Sequence, residues 1–206
     1  MGIPVPLKGC KLIITTRSEK VCHKMACQHK IKVKPLSDEE AWTLFPDKFG
    51  YDIPLSSKVE RIAKHITREC DCLPLGIITM ARCMKGVDDT HEWKNALEDM
   101  RQSRVGQDDM KKVFRTLRFS YTRLSDSALQ RCFLYCALFP ENSMILKDYL
   151  ITYFIDEGVI KGQKSREAEF DKGHSMLNRL ENVCLLEIIN GGSAVKMHDL
   201  IRDMAI

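Results

Sequence analysis

The spacing of apolar residues changes character twice along the chain. At 11–17, Lys-Leu-Ile-Ile-Thr-Thr-Arg, three consecutive apolar residues run into polar ones. Consecutive apolar positions predict a strand buried on both faces, as in a parallel sheet. Ser18 is then the expected cap of a short helix through Val21, Cys22 and Met25. Ile31 and Val33 alternate with lysines up to Pro35, which predicts a second strand near a sheet edge. Strand, helix, strand is one βα repeat. One repeat cannot bury its own sheet, so the remaining strands are expected upstream.

From Ser37 the period becomes helical. Ser37-Asp38-Glu39-Glu40 is a capping-box pattern ahead of Ala41, Leu44 and Phe45, and Pro46 is expected to end or kink that helix. Ser57-Lys58-Val59-Glu60 repeats the pattern ahead of Ile62, Ala63 and Ile66. Pro74 suits a first helical position, with Leu75, Ile78 and Met84 inside. Thr90 is the expected cap of a helix on which Trp93, Leu97 and Met100 share a face. These helices predict a small bundle. Gly106-Gln107-Asp108 marks a boundary, after which Met110, Val113, Phe114, Leu117 and Tyr121 form one stripe.

Ser125 is expected to cap a helix bearing Leu129, Cys132, Phe133 and Cys136, stopped by Pro140. Further helices are predicted near 147–157 and 166–182. Cys184–Ile189 and Ala194–Met197 flank Asn190-Gly191-Gly192, a hairpin signal, and a last helix starts near Asp199. Helices followed by a hairpin predict a winged helix.

Composition narrows the class. No run of about 18 apolar residues exists, so no membrane-spanning helix is predicted. The first residues show no secretory pattern. Net charge is +4, from 32 basic and 28 acidic residues, too balanced for nucleic-acid or membrane binding by charge alone. Nine cysteines without a secretion signal read as reduced thiols, with Cys132 and Cys136 on an apolar face.

Three short segments offer chemistry. Thr15-Thr16-Arg17 ends the first predicted strand, where open α/β sheets bind ligands, and an arginine there can fork onto phosphate. The alternative is a solvated arginine. Leu73-Pro74-Leu75-Gly76 reads as ordinary helix capping, though a proline ring can also pack on a flat base. In Met197-His198-Asp199, Asp199 is the expected N-cap. His198 is either an anion donor near that helix end or a residue packed between helix and wing.

In order, these segments resemble the NB-ARC module of plant disease-resistance proteins of the nucleotide-binding, leucine-rich-repeat type, with the flavour of the coiled-coil-bearing subgroup. Lys11–Arg17 resembles the sensor strand, and Ile31–Leu36 with Glu40–Phe45 the block after it. Cys72-Leu-Pro-Leu-Gly76 resembles the "GLPL" motif. Cys132–Pro140 resembles the block that opens the winged helix, and Val195–Leu200 the "MHD" motif. The resemblance implies a mainly α fold with a small α/β remnant: a partial P-loop-type sheet edge over 1–35, a four-helix ARC bundle over 36–105 and a winged-helix subdomain over 106–206. It further implies a STAND-class immune switch holding ADP at rest and ATP when active. Arg17 would sense the terminal phosphate of ATP, and Pro74 with Leu75 would pack on the adenine. His198 would hold the β-phosphate of ADP, with Thr16 and Asp199 in support. The implied partners are the nucleotide-binding half and leucine-rich repeats of a parent protein, with self-association or full-length relatives also possible, in the cytoplasm and without nucleic acid.

Two elements of that family's site are not in this sequence. It contains no G-x-x-x-x-G-K-[ST] phosphate loop and no acidic metal-binding strand, hence no magnesium site. No hydrolysis by this chain alone is therefore expected, and nucleotide affinity is expected only together with the other half. Cys72 stands where the motif carries glycine, and Pro46 interrupts a helix that normally runs on. Three other readings stay open. One is a shortened decoy or regulator that docks on full-length relatives. Another is a DNA-binding winged helix, although 164–182 balances Lys164, Arg166, Lys172 and Arg179 against Glu167, Glu169, Asp171 and Glu181. The last is a zinc site from Cys22, His23, Cys27 and His29.

Overall fold

The computed structural model describes residues 12–16, 18–50, 54–102, 109–124 and 126–206, with the backbone alone for 102 and 109–112. The chain forms two compact units, Met1–Lys34 and Pro35–Ile206.

In the first unit the described residues hold one short helix, α1 (Glu19–Lys24). Ser18 occupies its N-cap position without a capping bond from its side chain. Instead the Ser18 N–H donates to Thr16 Oγ1 at 3.1 Å. The two strands expected at 11–17 and 31–35 are not strands among the described residues. An extended segment becomes a strand only through a hydrogen-bonded neighbour, and the described residues supply none. Accordingly Ile13 is 86% exposed, and Ile31 and Val33 are each 89% exposed.

The second unit opens with α2 (Asp38–Phe49), α3 (Ser57–Glu69), α4 (Pro74–Cys83) and α5 (Thr90–Gln102). The capping box at α2 forms as the spacing predicts. Glu40 N–H donates to Ser37 Oγ at 3.2 Å, and Ser37 N–H donates to the Glu40 carboxylate at 2.9 Å. The bonds from Ser37 hold that carboxyl below its usual range. Pro46 does not end the helix but lies within it. It falls in the last turn, where its own carbonyl still accepts from Gly50 N–H at 2.9 Å. The lost bond costs roughly 3 kcal/mol. Burial of Phe45 and Phe49 around it, at roughly 1.5–3 kcal/mol each, offsets this. Both rings lie beside Trp93, at centroid distances of 6.3 and 5.8 Å.

Two further caps differ by one residue from expectation. Ser56, not Ser57, caps α3, accepting from Val59 N–H at 3.3 Å, so Glu60 is free to pair with Lys64 at 2.7 Å. Thr90 is the first residue of α5, and the Asp89 carboxylate accepts from His91 N–H at 2.8 Å. Trp93, Leu97 and Met100 are buried together with Ala41, Ile66 and Met80.

Helix α6 (Asp109–Thr122) serves two cores. Phe119 packs against the bundle core, while Leu117 belongs to the second core, joined by Val113, Phe114 and Tyr121. The side chain of Met110 and the boundary at 106–108 lie outside the described residues. At Gly76 a Cβ would stand 3.3 Å from Cys70 Cβ, so glycine admits the close approach of α4 to the C-cap of α3, while Thr116 on α6 would lie at an ordinary 3.7 Å. Further along, Cys83 Sγ and Ser120 Oγ are 3.1 Å apart.

The remaining elements are α7 (Ser127–Ala137), β1 (Ile145–Leu146), α8 (Lys147–Asp156), α9 (Arg166–Asn182), β2 (Glu187–Ile189), β3 (Ala194–Lys196) and α10 (Asp199–Ala205). Ser125 lies outside the described residues. Asp126 sits at the N-cap of α7, accepting from Ala128 N–H at 2.9 Å. The sheet order is β1-β3-β2, antiparallel throughout, with Val195 opposite both Ile145 and Ile188. This is a winged helix. The wing turns at Asn190–Gly192, where all three residues have positive φ. Helices α8 and α9 cross at Gly173, where a Cβ would stand 2.5 Å from Ile151 Cγ2.

Candidate functional site

The turn into α4 is shaped by its backbone. Asp71 and Cys72 have φ of +52° and +55°. Leu73 N–H closes the turn on Cys70 O at 3.0 Å, and Cys72 O accepts from Leu36 N–H at 3.1 Å. Pro74 then takes the first position of α4, as predicted, and its ring is exposed. Leu75 is partly buried, and it packs against the winged-helix core, not the bundle core. The Cys72 thiol donates to Asp38 Oδ1 at 3.5 Å. Burial first, and that carboxylate second, raise its pKa.

At the other end of the unit, β3 leads through buried Met197 to α10. The cap is His198 and not Asp199: His198 Nδ1 accepts from Leu200 N–H at 3.1 Å. A ring nitrogen that accepts carries no proton, so the ring's hydrogen sits on Nε2. The ring is exposed. Asp199 occupies the first helical position, where a carboxylate favours the helix dipole. Its Oδ1 is buried with no hydrogen-bond partner. Arg202, one turn on, donates from Nε to Phe139 O at 2.9 Å and approaches Glu141 at 3.8 Å. No motif in the sequence marks this residue, because its side-chain partner lies 63 residues away.

Helices α4 and α10 both rest on α6, and Leu75 and Leu200 pack around one core. The structure therefore ties Pro74-Leu75 and His198-Asp199 to a common support. Arg17 lies outside the described residues. Thr16, in the other unit, is exposed.

Two cavities lie elsewhere. One, of about 490 Å³, is lined by Phe114, Arg118, Tyr121, Leu134 and Met204. The other, of about 290 Å³, is walled by Trp42, with Lys64 Nζ 4.9 Å from its centroid. Neither includes Pro74 or His198. Among the described residues no three His, Cys, Asp or Glu side chains converge to hold a metal, so Cys22, His23, Cys27 and His29 form no ligand set. On α9, Arg166 pairs with Glu169 at 3.6 Å and Arg179 with Asp126 at 3.7 Å, so neither arginine presents an uncompensated charge. Among the described residues no helix is long and apolar enough to cross a membrane.

Comparison with known proteins bears on the family of the chain. The NB-ARC domain model matches residues 1–52, and the Disease resistance protein Winged helix domain model matches 138–205. Probable disease resistance protein At4g27220 of Arabidopsis thaliana is 40% identical over 209 residues, covering all of this chain and 22% of that protein. Disease resistance protein RPS5 of Arabidopsis thaliana is 35% identical over 211 residues, covering all of this chain and 24% of its own length. Disease resistance protein SUMM2 from the same plant matches at 35% identity, again over the whole chain and 24% of its length. The chain thus spans about a quarter of the length of these curated relatives. It belongs to the NB-ARC family of plant disease-resistance proteins, of which it carries NB-ARC sequence and a winged-helix domain.

Proposed function

We propose that this segment forms the lid side of an ADP-dependent immune switch, in which Pro74 and His198 touch the nucleotide and so lock the winged helix onto the bundle. One observation carries the reading: the two motifs hang from one core, through Leu75 and Leu200, with α4 and α10 both on α6. The residues fit such a ligand in kind. Pro74 offers an exposed rigid ring to a flat base, and His198 offers an exposed ring N–H to a phosphate oxygen. Bound ADP would supply the flat base and the anion. Arg17 and Thr16 are assigned to the same switch by motif alone.

A contact made only while the winged helix is seated shifts the population toward that state. Arg82 on α4 already bridges the two parts, donating to Glu181 O on α9 at 3.2 Å. The remaining phosphate contacts and hydrolysis chemistry are assigned to the nucleotide-binding half of a parent protein. This segment is assigned a binding and locking role in the cytoplasm.

The test is a titration with fluorescent ADP of the full chain, alone and then mixed with the nucleotide-binding half of an intact relative. Binding is expected in the mixture. His198→Ala should weaken it roughly tenfold to a hundredfold, the worth of one hydrogen bond to a charged group. A well-folded chain that shows no binding in the mixture removes the nucleotide role and leaves docking on full-length relatives as the leading function.

A further inference from the structure

Helix α10 is only seven residues long, and among them Ile201 alone is buried. Helices this short do not hold their shape in water without tertiary anchors. Its first turn carries His198, whose carbonyl accepts from Arg202 N–H at 3.0 Å. Arg202 is thus bonded through its backbone to the residue that caps the helix. Its side chain, 23% exposed, reaches the other way. Nε donates to Phe139 O at 2.9 Å, and Nη1 lies 3.8 Å from the Glu141 carboxylate. Phe139 follows the C-cap of α7, Leu138. The guanidinium there meets one carbonyl just beyond the negative end of that helix. The fork is planar and fixes direction as well as distance.

We propose that Arg202 is the positioning residue of His198: by tying the first turn of α10 to the end of α7, it holds the His198 Nδ1 bond to Leu200 N–H and so keeps the ring proton on Nε2. The consequence for ligand binding rests on the reading of His198 as a phosphate donor; the consequence for the ring does not.

Two measurements separate those levels. The first needs no nucleotide. In the full chain labelled with nitrogen-15, the His198 ring shifts report which nitrogen carries the proton, and amide exchange reports the Leu200 N–H. Arg202→Ala should lower the Nε2–H preference to that of a free histidine side chain and speed Leu200 exchange roughly tenfold, about the worth of a lost cap. Arg202→Lys, which keeps charge without the fork, should fall between the two and covers the case in which the alanine variant does not fold. Asp203→Ala, exposed on the same helix, should leave both readouts at the wild-type value. Wild-type ring shifts and Leu200 exchange in a folded Arg202 variant would overturn the proposal.

The second measurement is the ADP titration with the nucleotide-binding half. His198→Ala and Arg202→Ala should weaken binding by similar factors, and the double variant by no more than either. If His198→Ala weakens binding and Arg202→Ala does not, positioning is overturned while the lid reading stands. If neither weakens it, the lid reading falls, and the ring shifts alone decide the role of Arg202.

Discussion

Cys72 is held at φ +55°, in the left-handed region that costs a β-carbon-bearing residue roughly 1–2 kcal/mol. The glycine of the family motif at this position has a backbone explanation in the turn that delivers Pro74. Cys72→Gly should therefore stabilise the chain, by roughly 1 kcal/mol after the greater unfolded-state entropy of glycine is allowed for. A urea midpoint at or below that of the wild type would refute this. The same turn shows why the motif pattern was legible and its cause was not. The sequence shows which residue departs from the motif, but φ at residue 72 is set by the closure from Leu73 to Cys70 and by the bond from Leu36.

Helix ends were read less well than helix interiors. Buried Phe45, Trp93, Leu97 and Leu129 follow from 3.6-residue spacing, because one stripe must face a core. The cap of α3 does not follow. Ser56 and Ser57 are both good N-caps by type, and the cap is Ser56 because its extended backbone (φ −60°, ψ +150°) aims its hydroxyl at Val59 N–H. Ser56→Ala should cost about 1 kcal/mol and Ser57→Ala a few tenths at most. Thermal unfolding of the two variants decides between them, and the reverse order would move the cap back to Ser57. Pro46 is a second case. Propensity alone places a break there, but the stacked aromatics on either side keep the last turn helical. Strand β1 escaped notice because two residues carry no period; it exists through pairing with β3.

Taken whole, residues 35–206 bury several thiols in two cores. Burial pushes Cys83 up to about 11 and Cys132 up to about 12 from an ordinary 9.0, with Cys70 and Cys136 pushed further in the same direction. The sign follows from linkage. Unfolded thiols lose protons near the ordinary value while the folded ones keep theirs, so stability is full below pH 9 and falls as pH rises through the folded values. Each of Cys83 and Cys132 contributes a loss on the order of 2–4 kcal/mol across that range. Urea midpoints at pH 8 and pH 10.5 should show the drop, and Cys83→Ala with Cys132→Ala should reduce it, with Cys70 and Cys136 supplying what remains. A midpoint that does not change between the two pH values would mean these thiols are open to solvent.

The sequence by itself determined the helix stripes, the hairpin of the wing and the order of the motif blocks. Each depends on residues near one another in the chain, through period, cap or turn chemistry. Only the tertiary structure decided which face each motif presents and what supports it. That α6 serves two cores, that Leu75 sides with the winged helix, that Gly173 admits Ile151, and that Arg202 reaches Phe139 are all contacts between residues far apart in the chain. Such contacts are set by how whole elements pack, and no local pattern encodes them. The first unit shows the converse: its apolar runs were read as strands from period alone, and pairing, which a strand requires, is a property of two segments and not of one.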